Sequence, residues 1–127
     1  MNITNFQELG LKEELFEAIN AMGFTEPTEI QQKAIPQLLA TENDFVGQAQ
    51  TGTGKTVAFG IPLIEKINPH TKTVQALVLA PTRELAMQIG VECNKFCASS
   101  GIKTVCVYGG QGKIDFMTYC LIVIDII

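Results

Sequence analysis

Histidine occurs once in the 127 residues and cysteine four times, and neither is placed for metal or acid–base chemistry. His70 lies in the run Asn68-Pro69-His70-Thr71-Lys72, which reads as a loop. With no partner nearby in sequence, a solvated loop position is expected rather than a catalytic one. Cys93 and Cys97 are one helical turn apart, the spacing of neither a metal knuckle nor a redox pair. With Cys106 and Cys120 they read as buried thiols of a reducing cytoplasm. Long apolar runs are missing too: the longest, Cys120 to Ile124, is stopped by Asp125, far short of a membrane span. The first twenty residues carry Glu8, Glu13, Glu14 and Glu17 and lack a basic start followed by an apolar stretch, so no secretory signal is expected. The expected localisation is cytoplasmic, with no membrane partner. Positive charge is scarce: nine Lys and Arg against 13 Asp and Glu give a net charge of −4. That balance argues against capture of nucleic acid by the whole surface but leaves room for a local phosphate-contacting patch. Linkers, internal repeats and low-complexity segments are absent.

What is present is enough apolar material for a core, 46% of residues, in a chain of about one small domain. The stretch that organises it is Ala49-Gln50-Thr51-Gly52-Thr53-Gly54-Lys55-Thr56. It follows a short apolar run, Asp44-Phe45-Val46-Gly47, which reads as a strand, and it opens a helical pattern from Val57 to Ile67. Strand, glycine-bearing loop and helix start form the context of a phosphate-binding loop. Glycines let successive N–H groups turn inward into an anion nest, and the helix N-terminus adds partial positive charge there. Lys55 is placed to reach the outer phosphates and the Thr56 hydroxyl to hold Mg²⁺. The first glycine of the usual spacing is replaced by Ala49.

Upstream, Leu11, Leu15, Phe16, Ile19 and Met22 recur at helical spacing opposite Lys12, Glu13, Glu14 and Glu17, and Gly23 is the expected residue after the helix end. Thr28 is placed to cap a second helix running to about Ile35, where Pro36 should break or restart it. Pro62 predicts a kinked or two-part helix after the loop. Val74–Ala80 is almost wholly apolar, as expected of a parallel strand covered on both faces. Pro81-Thr82-Arg83-Glu84 opens a helix with Leu85, Ile89, Cys93 and Phe96 on one face, ended by Ser99-Ser100-Gly101. Ile102–Tyr108 reads as the next strand, Gly109-Gly110 as a tight turn, and Tyr119–Ile124 as a last strand; Ile114–Thr118 has no clear period. Alternating strands and helices predict an α/β fold with a mostly parallel sheet, right-handed crossovers and a phosphate site at the carboxyl ends of the strands.

Taken together, these segments resemble the N-terminal part of the first RecA-like domain of a DEAD-box ATP-dependent RNA helicase. Gly23-Phe24-Thr25-Glu26-Pro27-Thr28-Glu29-Ile30-Gln31 resembles the family's Q motif, with Phe6 as its isolated upstream aromatic. Ala49 to Thr56 is similar to motif I, alanine included; Pro81-Thr82-Arg83-Glu84-Leu85-Ala86 is similar to motif Ia, and Gly109-Gly110 to the GG motif. The resemblance covers about residues 3 to 112. It implies a partial RecA-like P-loop fold over 1–112, ATP and Mg²⁺ as cofactors, and RNA as partner. It places Phe24 and Gln31 at the adenine, Ala49, Gln50, Thr51, Gly52, Thr53, Gly54, Lys55 and Thr56 at the phosphates, and Pro81, Thr82, Arg83, Glu84, Gly109 and Gly110 at the RNA backbone. Residue chemistry is compatible. An amide offers donor and acceptor to the N6/N7 edge of adenine, an aromatic ring can stack on the base, and N–H groups at a helix start suit phosphate. On its own, Gln31 reads as a solvated helix glutamine, and Thr82-Arg83-Glu84 equally as a plain helix cap with a surface arginine.

The Asp-Glu-Ala-Asp motif itself does not occur in these residues, nor do the family's Ser-Ala-Thr and Thr-Pro-Gly-Arg elements or a second RecA-like domain. Leu121-Ile122-Val123-Ile124-Asp125 reads as an apolar strand ending in aspartate, superficially a metal-binding strand. Ile126 replaces the catalytic glutamate, however, and the spacing from Gly110 is short, so a chance strand end is expected. Residues 113–127 read as a divergent or truncated tail, with truncation and replacement both open. The chain is expected to be inactive on its own, either as a binding module without catalysis or as an inactive truncation product.

Overall fold

Four α-helices, one 3-10 turn and three strands make up the regular structure among residues 3–112, 119 and 121–125, which the computed structural model describes. The chain divides into two units, Met1–Lys66 and Ile67–Ile127.

The first unit is helical. A 3-10 turn at Phe6–Leu9 is capped by Asn5, whose Oδ1 accepts from the Glu8 N–H at 3.2 Å. The turn buries Phe6. Helix α1 (Glu13–Ala21) buries Leu15, Ala18 and Ile19 and leaves Glu13, Glu14 and Glu17 exposed, as its periodicity predicts. It ends at Gly23, which takes φ 82°. The Gly23 N–H bonds the Asn20 carbonyl at 3.0 Å and the Phe24 N–H bonds that of Ile19 at 3.3 Å. That pair of bonds is a Schellman motif, in which glycine avoids the Cβ penalty of the left-handed region.

Helix α2 spans Glu29–Ala40 and continues through Pro36 instead of breaking there. An interior proline costs about 3 kcal/mol, while burying Ile35 alone returns about 2 kcal/mol. Ala34 is also buried, and α2 packs along α3 (Lys55–Lys66), so tertiary packing overrides the local signal. Pro62 likewise lies within α3, which is one helix from Lys55 to Lys66. Its Val57, Ala58, Ile61 and Ile64 are buried. The Lys12 N–H donates to both Glu65 carboxylate oxygens, at 3.0 and 3.2 Å, and Lys12 Nζ donates to the Glu65 carbonyl at 3.0 Å. These bonds tie the start of α1 to the end of α3. The expected strand at Asp44–Gly47 is not formed: the segment has no ladder partner among the described residues, and Val46 is 96% exposed. Apolar residues in a row do not make a strand without a neighbour to complete its backbone hydrogen bonds.

The second unit is α/β. Strands β1 (Ala76–Ala80), β2 (Thr104–Val107) and β3 (Leu121–Asp125) form a parallel sheet in the order β1-β3-β2. The last strand therefore lies between the first two, pairing Ala76 and Thr104 with Leu121, and Ala80 with Asp125. Helix α4 (Arg83–Phe96) packs on the sheet through Ala86, Ile89, Gly90, Cys93 and Phe96. A Cβ on Gly90 would stand 3.4 Å from that of Cys106, so the helix approaches closely there. Coverage of β1 on both faces is not observed. Ala76 and Ala80 are buried, but Leu77 and Leu79 on the alternate face are 55% and 59% exposed. His70 is an exposed loop residue, its N–H bonded to Asn68 Oδ1 at 3.0 Å. Cys93 and Cys97 are buried and Cys106 half-buried. Cys120 and the aperiodic stretch 114–118 lie outside the described residues.

Burial, with smaller contributions from Cys97 and Glu92, pushes the Cys93 thiol from 9.0 to about 12. An unfolded thiol ionises near 9.0, so between 9.0 and about 12 the unfolded chain binds fewer protons than the folded one. Stability is therefore expected to fall as pH rises through that window, and Cys93→Ala should flatten the fall, read by urea unfolding at stepped pH. In native protein at pH 8, mass spectrometry after brief alkylation should show Cys106 modified well before Cys93.

Candidate functional site

The phosphate-loop sequence makes an open turn that ends on α3. Gly52 and Gly54 both take left-handed conformations, φ 79° and 85°. The Thr53 hydroxyl donates to the Gln50 carbonyl at 2.6 Å, closing the loop on itself. Gln50, Thr51, Gly52 and Lys55 are exposed, while Ala49, Thr53, Gly54 and Thr56 are half-buried. The Gly54 carbonyl receives the Ala58 N–H at 3.1 Å and so starts the helix. Lys55 and Thr56 thus occupy the first turn, where backbone N–H groups have no partner within the helix and the dipole favours an anion.

Gln31 meets this loop. Its Nε2 donates to the Gly54 carbonyl at 3.2 Å, and its Oε1 accepts from the Thr28 N–H at 2.9 Å. The second bond is the returning arm of a capping box at the start of α2. Gln31 is 2% exposed, so it is a buried, bonded amide and not a solvated helix glutamine. The loop fits around it closely. A Cβ on Gly54 would overlap the Gln31 amide nitrogen and stand 3.3 Å from the Thr28 hydroxyl. Phe24 is half-buried just beyond the Schellman turn, and Pro27 is buried with its carbonyl receiving Gln32 Nε2 at 3.1 Å.

In the second unit, Pro81, Thr82, Arg83 and Glu84 are exposed at the start of α4, and Gly109 and Gly110 are exposed after β2. Thr82 caps the helix, its hydroxyl accepting from the Leu85 N–H at 3.2 Å. Arg83 Nη2 donates to the Gly109 carbonyl at 2.8 Å, which joins the two segments. Sequence reasoning missed two participants. The Arg83 guanidinium lies 4.2 Å from the centroid of the Tyr108 ring, and Gln111 bonds across the glycine turn. It also missed Gln31 as capping partner, although Thr-x-x-Gln before an apolar run is a legible signal.

A family profile described as DEAD/DEAH box helicase matches residues 28–125. The chain belongs to that helicase family. It is 55% identical over 109 residues to the DEAD-box ATP-dependent RNA helicase CshA of Geobacillus kaustophilus, a match over 86% of this chain and 23% of the relative. Among solved structures it is similar to a DEAD box protein from Methanococcus jannaschii, with TM-score 0.92 and 38% identity over 98% of this chain and 35% of that one. It is also similar to Saccharomyces cerevisiae Dbp5 bound to RNA and ADP BeF3, with TM-score 0.89 and 34% identity over 97% of this chain and 32% of that one. The chain thus spans less than a quarter of the length of the curated relatives it matches. At these identities the fold is that of the RecA-like helicase domains.

The two left-handed glycines differ in surroundings, which separates backbone strain from contact. Nothing lies within 4 Å of a Cβ on Gly52. Gly52→Ala should cost only the left-handed penalty, about 1 kcal/mol. Gly54→Ala adds the collision with Gln31 and should cost about 2 kcal/mol or more in urea unfolding. Equal costs would mean that the Gln31 contact does not constrain the loop.

Proposed function

We propose that this chain is the ATP-binding, RNA-contacting part of a DEAD-box ATP-dependent RNA helicase. The observation that carries the reading is the bond from Gln31 to Gly54, because it puts the proposed adenine reader against the proposed phosphate loop. After bonding Thr28 and Gly54, the Gln31 amide keeps one lone pair and one proton. Those match the N6 donor and N7 acceptor of adenine, and the Thr28 bond fixes which end of the amide is which. With Gln31 only 2% exposed, base contact requires a local rearrangement, after which Phe24 stacks on the ring.

The loop from Ala49 to Gly54 and the first turn of α3 cradle the phosphates, and Lys55 neutralises the outer ones. Among the described residues no group of three or more His, Cys, Asp or Glu could hold a metal ion. Thr56 Oγ1 would hold Mg²⁺ together with the nucleotide's own oxygens, and the ion would offset phosphate charge. Pro81–Glu84 and Gly109-Gly110 present a helix start and a bare backbone turn, which suit sequence-independent contact with RNA phosphates. The RNA and ADP BeF3 bound to the similar yeast protein support both partners.

In the family reading, ATP hydrolysis drives local RNA strand separation, and the chemistry depends on acidic residues and arginines that position and stabilise the transferring phosphoryl group. The Asp-Glu-Ala-Asp acids do not occur within these 127 residues, so this chain binds without turnover. No helix among the described residues is long and apolar enough to cross a membrane, and the cytoplasm is the proposed location.

Thermal unfolding with and without nucleotide tests the reading. A saturating ligand stabilises by mass action, about 2.7 kcal/mol at a hundred times Kd. Mg-ATP should raise the Tm by several degrees and Mg-GTP by clearly less. Lys55→Ala should abolish the ATP shift, and no phosphate should be released with or without RNA. Equal shifts by both nucleotides would remove the role of Gln31, and RNA-stimulated hydrolysis lost in Lys55→Ala would contradict binding without turnover.

A further inference from the structure

We infer that Tyr108 and Gln111 are positioning residues that set Arg83 and the Gly109-Gly110 turn in the geometry that receives a nucleic-acid backbone, an inference that rests on the RNA reading above. Two consecutive glycines make a turn that is conformationally loose unless something fixes it. Gln111 does so from the far side: its Oε1 accepts from the Tyr108 N–H at 2.7 Å and its Nε2 donates to the Cys106 carbonyl at 3.0 Å. One amide therefore spans the turn and pins it to the end of β2. Arg83 fixes the near side through its 2.8 Å bond to the Gly109 carbonyl. The peptide between Gly109 and Gly110 is trans, so its N–H points opposite to its C=O. Holding the Gly109 carbonyl toward the Arg83 guanidinium thus turns the Gly110 N–H away from that guanidinium, at a residue that is exposed. That N–H is a preset donor for a phosphate oxygen.

Arg83 itself needs support, since it is exposed and its long stem has many rotamers. The Tyr108 ring supplies that support at 4.2 Å from the guanidinium. A planar guanidinium can stack on the ring while its edge donates to the carbonyl, which a lysine ammonium cannot reproduce. Tyr108 acts through Arg83, and Gln111 through the turn; neither is required to touch the ligand.

The test uses the 127-residue chain and a fluorescein-labelled oligouridine, with anisotropy read over a salt titration. Tyr108→Phe keeps the ring and should bind as the unsubstituted chain does. Tyr108→Leu should weaken binding by roughly fivefold with an unchanged salt slope, because no phosphate-neutralising charge is removed. Gln111→Ala should do the same, and Arg83→Lys should weaken binding despite keeping its charge. In an Arg83→Ala background, Tyr108→Leu should have no further effect. Full-strength binding by Tyr108→Leu and Gln111→Ala would overturn the inference while leaving the RNA reading intact. No binding by the unsubstituted chain would overturn the RNA reading and this role with it. A readout without RNA covers a variant that folds poorly: the Arg83 side-chain proton resonances should carry a ring-current shift in the native chain and in Tyr108→Phe. Its absence would overturn the clasp.

Discussion

A hydrogen bond of 3.2 Å from the Gln31 amide to the Gly54 carbonyl joins two segments that are distant in sequence. Much of the first unit is arranged so that this bond can form. The Schellman turn at Gly23 ends α1, the capping box at Thr28 orients the Gln31 amide, and α2 packs along α3 to bring the amide to the loop. Gly54 answers with a left-handed conformation and no side chain, which lets the loop backbone come within hydrogen-bond reach of a buried amide. A buried polar group of this kind is costly when unpaired, so the pairing specifies one arrangement of loop and helix.

The second unit uses the same device at the surface. A side chain near the start of a helix holds a glycine carbonyl, here Arg83 with Gly109, and local bonds from neighbouring side chains stiffen the turn. In both units a glycine carbonyl is held by a side-chain donor from the first turn of a helix, Gln31 of α2 in one and Arg83 of α4 in the other. The sheet beneath is asymmetric. The face of β1 toward α4 is buried at Ala76 and Ala80, whereas Leu77 and Leu79 stand exposed on the other.

What the sequence made legible follows from how local each signal is. The amphipathic pattern of α1, the glycine at its end, the start of α3 at the loop and the cap at Thr82 depend on neighbours within one or two turns, and the structure reproduces them. Features decided by distant partners were not legible. Pro36 is carried inside α2 by packing on α3, Asp44–Gly47 has no strand to pair with, and β3 inserts between β1 and β2. At the candidate sites, the motifs named Gln31, Gly54, Arg83 and Gly109 but not the bonds that connect them. Tyr108 and Gln111 escaped notice because an aromatic and an amide beside two glycines carry no periodic signal. Only the fold shows what their side chains reach.

Gln31 and the phosphate loop are proposed to form one nucleotide site. An NMR titration with Mg-ATP tests it most directly, following the Gln31 side-chain amide together with the backbone N–H groups of Gly52, Gly54 and Lys55. All four should shift along one binding curve, and inorganic triphosphate should move the loop resonances with much less effect on Gln31. Loop shifts with an unmoved Gln31 amide under saturating Mg-ATP, or no shifts at all, would contradict it.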